Sequence, residues 1–183
     1  MANQPRVEKV WVVLLISMTV GATVLMALGS TPPSAGPFCL SSYYKLNPVE
    51  AAVTSQAAQV PYRWNCVEVY YSGTKGGNLE QLAALNGLAY TEDINCHFVI
   101  GNGVGDGDGQ MTSTEKWQKQ WSVLPHKTWY GSGQTIRICV MADGVAVRPT
   151  ECQVRRVGAL IEELSQRFEI QRSCMYYPGD WPQ

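Results

Sequence analysis

Apolar and polar positions alternate along the chain in three regimes. Residues 10–29, VWVVLLISMTVGATVLMALG, run for twenty positions without a charge, long enough to cross a bilayer as one helix. STPPSAGP (30–37) then reads as a Pro/Gly/Ser tether. Beyond it the pattern shortens and switches between two periods. PVEAAVTSQAAQ (48–59) predicts a short helix, and CVEVYYS (66–72), β-branched and aromatic, predicts a strand. In NLEQLAALNGL (78–88), Leu79, Leu82, Ala83 and Leu85 recur at helical spacing behind Asn78 as N-cap. CHFVIG (96–101), QMTST (110–114) and TIRICVM (135–141) predict strands. Thr150, with Gln153 three places on, forms a capping box that opens a long helix. Its apolar stripe is Val154, Val157, Leu160, Ile161, Leu164 and Phe168, which must face a core. SCMYYP (173–178) predicts a last short strand. Strands alternating with helices around one core make an α/β domain.

The stretch between the strands predicted at 96–101 and 110–114, GNGVGDGDG (101–109), carries glycine at every second position and invites a ligand-binding reading. Counting removes it. An EF-hand loop starting at Asp106 needs glycine at its sixth place and a carboxylate at its twelfth, and those places hold Met111 and Trp117. A calcium-binding β-roll needs its glycine-rich unit in tandem, and this one occurs once. A phosphate cradle needs a helix after the glycines, whereas Gln110-Met-Thr-Ser-Thr114 has strand character. Asn-Gly and Asp-Gly supply positive φ cheaply, so the stretch reads as a β-hairpin connection.

Charge and composition narrow the classes. Among 183 residues the net charge is −1 and charged residues make up 16%, so the basic footprint of a nucleic-acid binder is missing. Arg6 and Lys9 precede the apolar run, and no Lys or Arg follows it before Lys45. The positive-inside rule then leaves the N-terminus in the cytoplasm and exports the rest to the extracytoplasmic side. A cleaved signal peptide, with Ala27-Leu-Gly29 as its processing site, is the competing reading, and it exports the chain equally. The divisions that follow are a cytoplasmic N-terminus (1–9), a single-pass signal anchor (10–29), a tether and partly ordered lead-in (30–63) and a folded domain (64–183). Six cysteines, at 39, 66, 96, 139, 152 and 174, include no CxxC pair. A zinc ribbon is therefore unsupported, and the pairing of any disulfides stays open. Cys139, inside IRICV, reads as a buried free thiol.

The order of motifs carries a resemblance. A strand ending in Ser72-Gly-Thr74 precedes a helix, then comes His97-Phe-Val-Ile-Gly-Asn-Gly103 with its Asp-Gly turns. Trp117 and Gln120, His126, Ile136-Arg-Ile-Cys-Val140 and Pro149-Thr-x-x-Gln153 opening the long helix follow. Together these resemble the zinc-dependent N-acetylmuramoyl-L-alanine amidases and the peptidoglycan recognition proteins of the same fold, over roughly residues 64–175. The resemblance implies a mixed central sheet flanked by helices, here preceded by one transmembrane helix. It also implies a groove for peptidoglycan and one zinc on three side chains with an open position for water.

The zinc pattern is where this sequence departs. Tyr70 stands where the family carries its first-strand histidine, and Arg172-Ser-Cys-Met-Tyr-Tyr-Pro178 stands where an Ile-x-Gly-His is expected. Cys96 replaces an assisting tyrosine, and Cys139 replaces a glutamate that some members carry. The two histidines, His97 and His126, match no ligand position; His97 reads as a buried structural residue, and His126 as a groove-rim or plain surface residue. No catalytic residue and no metal ligand is assigned, and no cofactor is expected. Tyr70, Ser72, Cys96, His126 and Trp129 are the groove candidates. The leading expectation is a membrane-anchored, non-catalytic amidase-like domain that binds peptidoglycan or an envelope protein, with no nucleic-acid partner. The alternatives are a working amidase, through zinc ligands that do not align or through a Cys96 thiol activated by histidine, and a structural envelope protein whose groove the tyrosines close.

Overall fold

The computed structural model describes residues 10–14, 16–19, 46–123 and 133–182. The chain divides into two compact units, 1–36 and 37–183. In the first, residues 10–14 and 16–19 are helical and exposed. Among the described residues no helix is long and apolar enough to cross a membrane. The remainder of the expected span at 10–29 lies outside the described residues, as do His126 and Trp129.

The second unit is a five-stranded mixed sheet with helices. Its elements are α1 (Val49–Val53), β1 (Cys66–Tyr71), α2 (Leu79–Leu85), β2 (Phe98–Ile100), β3 (Met111–Ser113), α3 (Glu115–Gln118), β4 (Thr135–Val140), α4 (Glu151–Phe168) and β5 (Met175–Tyr176), with 3₁₀ turns at Thr91–Asp93 and Arg172–Cys174. The strand order is β3-β2-β4-β1-β5. Among the described residues only the β2–β3 pair is antiparallel; β4 runs parallel to both β1 and β2, and β5 parallel to β1. β4 is therefore central, and all six of its residues are buried, as a strand covered on both faces must be.

Strand alternation divides the core in two. Val67, Val69, Ile136, Ile138, Phe98 and Ile100 pack against Val157, Leu160, Ile161, Leu164 and Phe168 of α4. The intervening residues Val99, Cys139 and Met141 meet Leu82 and Ala83 of α2, Ile94 and Cys96. Both expected capping boxes form: Asn78 with Gln81 on α2, and Thr150 with Gln153 on α4. Val154 stands only half-buried at the edge of the expected α4 stripe.

Packing begins earlier than the expected boundary near Trp64. Val53 of α1 is fully buried, and the Trp117 indole donates to its backbone carbonyl at 2.9 Å. Residues 49–53 thus belong to the domain core, because Trp117 needs both a lid and an acceptor. The glycine stretch joins β2 to β3 as a hairpin connection, and it is longer than a two-residue turn. Gly101 N–H donates to Gln110 and Gly109 N–H to Gly101, each at 2.8 Å. The Thr150 hydroxyl donates to Asp108 at 2.6 Å, which docks the connection on the start of α4.

Candidate functional site

The sheet face that α4 does not cover opens into a cleft of about 890 Å³. β1 and β4 form its floor, because residues 68, 70 and 72 share one face of β1 and 137 and 139 share that face of β4. Leu82, Asn86 and Leu88 wall one side together with the 93–95 turn. The other wall is the C-terminal run Met175, Tyr176, Tyr177, Pro178 and Gly179. Just beyond that run Trp181 stacks on Tyr71 at 6.1 Å and lies 5.9 Å from Tyr177, packed against the α4-side core.

A buried ion pair occupies the floor. Glu68 and Arg137 are register partners across β1 and β4. Arg137 Nε donates to Glu68 Oε2 at 2.8 Å, and both side chains are all but fully buried. The same guanidinium donates from Nη1 to the Asn95 carbonyl at 3.0 Å and sits 4.4 Å from the centre of the Tyr70 ring. Three partners for one cation offset its desolvation. Sequence reasoning passed over this pair. Its signal was present as two charges inside otherwise apolar strands, but only the register joins them.

Tyr70 lines the cleft. Burial, reinforced by Cys139 and Cys96, pushes its phenol well above the ordinary value, with Arg137 opposing. It is therefore a neutral hydrogen-bonding group at physiological pH. Ser72 also borders the cleft, but its hydroxyl is engaged. It accepts from the Thr74 and Ala142 backbone N–H groups at 3.2 Å each and lies 2.8 Å from the Thr74 hydroxyl. Cys96 differs from expectation. It is fully buried beneath the floor and does not line the cleft, because it packs on Cys139, Val99 and Leu82 in the smaller core cluster.

His97 behaves as a structural residue. Its ring is fully buried, with Nδ1 accepting from the Arg137 backbone N–H at 2.9 Å and Nε2 donating to the Trp121 carbonyl at 3.0 Å. Its edge meets Trp64 at 4.7 Å. Burial lowers its pKa to about 3 against the opposing Trp121 hydrogen bond, so it is neutral and locked. Cys96, the candidate thiol, is buried outside the cleft lining, and Cys139 is the thiol that lines it. Cys139 is held well above the ordinary thiol value, first by its hydrogen bond with Cys96 and then by burial, so the nucleophilic thiolate is scarce.

The groups present do not fit zinc. The first expected ligand is a neutral phenol with a guanidinium already 4.4 Å from its ring, and a second cation there meets repulsion. Cys174, the sulfur nearest the other expected position, packs beside Met175 against the α4-side core and is absent from the cleft lining. Among the described residues, no three His, Cys, Asp or Glu side chains are grouped to hold a metal ion.

No protein-family model matches the chain, and no curated protein matches it. Solved structures do. The N-acetylmuramyl-L-alanine amidase AmiD from E. coli, solved with the substrate anhydro-N-acetylmuramic acid-L-Ala-D-gamma-Glu-L-Lys, is 13% identical with a TM-score of 0.45. The match covers 67% of this chain and 51% of that one, so this chain spans about half the length of the amidase. PGRP-Hd from Alvinella pompejana is 17% identical with a TM-score of 0.43, over 70% of this chain and 80% of that one.

Proposed function

We propose that the chain is an exported, membrane-tethered domain that binds peptidoglycan fragments in this cleft without hydrolysing them. The observation that carries the reading is the pairing of an aromatic-walled cleft with a floor whose charges are already spent. Tyr176 and Tyr177 give the wall aromatic surface suited to sugars, while the neutral Tyr70 phenol and the Asn86 side chain bring polar groups suited to a peptide. Glu68 is held by Arg137, no histidine lines the cleft among the described residues, and the other carboxylate that lines it, Asp93, belongs to the wall beside Asn95. The motif order supports peptidoglycan as the ligand class, and the run at 10–29 supports the tether.

The test is sedimentation of the detergent-solubilised full chain with purified peptidoglycan, with released stem peptides assayed in the supernatant. The chain is expected to pellet and to release none. Tyr177→Ala, at an exposed wall position, is expected to weaken pelleting several-fold, as is Trp129→Ala. Released stem peptides would establish an amidase instead. Absence of both pelleting and release would move the assignment to an envelope-protein partner.

A further inference from the structure

β5 holds the cleft wall to the sheet by a short contact. It pairs with β1 only through Val67 with Met175 and Glu68 with Tyr176. Each first partner is preceded by a cysteine: Cys66 opens β1 next to Val67, and Cys174 ends the 3₁₀ turn next to Met175. Adjacent strands run about 4.8 Å apart, inside the Cα separation that a disulfide spans. Burial first, and then the neighbouring Cys174 thiol, raises the Cys66 thiol to about 11. Both are partly exposed, whereas Cys96, Cys139 and Cys152 are buried. Among the described cysteines, Cys66 and Cys174 are thus the pair that is both adjacent and open to a reagent.

We propose that Cys66 and Cys174 form a disulfide under oxidising conditions, and that the bond clamps the Met175–Gly179 wall of the cleft to β1. The oxidant class is a low-molecular-weight disulfide, represented by oxidised glutathione. One thiolate attacks it, giving a mixed disulfide and one glutathione thiol. The second cysteine then displaces the other glutathione. Two protein S–H bonds and the glutathione S–S bond break, one protein S–S bond and two glutathione S–H bonds form, and the two protons given up by the cysteines end on the two glutathione thiols. The bond closes a long loop, from 66 to 174, so it constrains the unfolded chain strongly. It also replaces the short β1–β5 ladder as the tether of the wall.

The sequence makes the test direct. Trypsin releases Cys66 in peptide 64–75 and Cys174 in peptide 173–183, with no other cysteine in either. The full chain is equilibrated with oxidised glutathione at mildly alkaline pH, alkylated, digested without reductant and mapped by mass. The expected result is a linked 64–75/173–183 species, reversed by dithiothreitol. Amide exchange at 175–177 is expected to slow by roughly tenfold or more in the oxidised chain, since the wall opens locally when reduced. Both thiols remaining alkylated, stable glutathione adducts, or a bond from either cysteine to Cys39 would overturn the pairing. A linked species with unchanged exchange at 175–177 would overturn the clamp.

Discussion

Glu68 and Arg137 face each other across the two central parallel strands with Arg137 Nε 2.8 Å from Glu68 Oε2, and solvent reaches almost none of either side chain. A pair so placed is costly to create and more costly to break. Its members have given up hydration that only the partner, the Asn95 carbonyl and the Tyr70 ring replace. It also sets the character of the cleft, whose floor is charged in composition but has little charge left to offer a ligand.

Arg137→Met or Glu68→Gln alone is expected to lower stability by about 3–5 kcal/mol, because each leaves a buried polar or charged group uncompensated. The double variant Glu68→Leu/Arg137→Met is expected to recover much of that loss. Urea unfolding of the four proteins gives the cycle directly. Single-variant losses below about 1 kcal/mol would show that the pair is solvated in solution.

Acid sensitivity follows from His97. Its folded pKa, about 3, lies below the ordinary value of 6.5, so between those values the unfolded chain binds the proton and the folded chain does not. Stability is therefore complete above about pH 6.5 and falls as pH drops toward 3, by roughly 1 kcal/mol per pH unit from this residue. Imidazole resonances followed by NMR check the cause. A His97 ring titrating near pH 6.5 in the folded protein would remove it.

Two glycines should respond oppositely to alanine. Gly109 has φ +73°, and a Cβ there would stand 2.5 Å from Cys152 Sγ. Gly109→Ala is expected to cost about 1–3 kcal/mol through strain and overpacking. Gly158 lies exposed within α4, where a Cβ meets nothing within 4 Å. Gly158→Ala is expected to stabilise by about 0.5–1 kcal/mol. Thermal melts of both variants read the signs.

The purified chain is expected to hold no stoichiometric zinc after dialysis. Tyr70→His alone is expected not to introduce it, because Arg137 keeps a positive charge beside that position. Metal analysis of the wild type and of Tyr70→His measures both statements. One tightly held zinc per wild-type chain would reverse the reading of the cleft.

Periodicity, caps and turn residues by themselves determined the elements. The α2 and α4 starts follow from Asn78/Gln81 and Thr150/Gln153, whose side chains act within one helical turn. The hairpin followed from glycines that need positive φ, and His97 as a structural residue from strand alternation. Those are local effects, and local sequence carries them. Tertiary structure alone decided what meets what. It buried Cys96 under the cleft floor, brought α1 onto Trp117, and set Glu68 opposite Arg137 and Cys66 beside Cys174. Each depends on β1, β4 and β5 lying side by side or on a helix docking from a distance in sequence. Register between strands separated by tens of residues is chosen by the whole core at once, and no short stretch of chain encodes it.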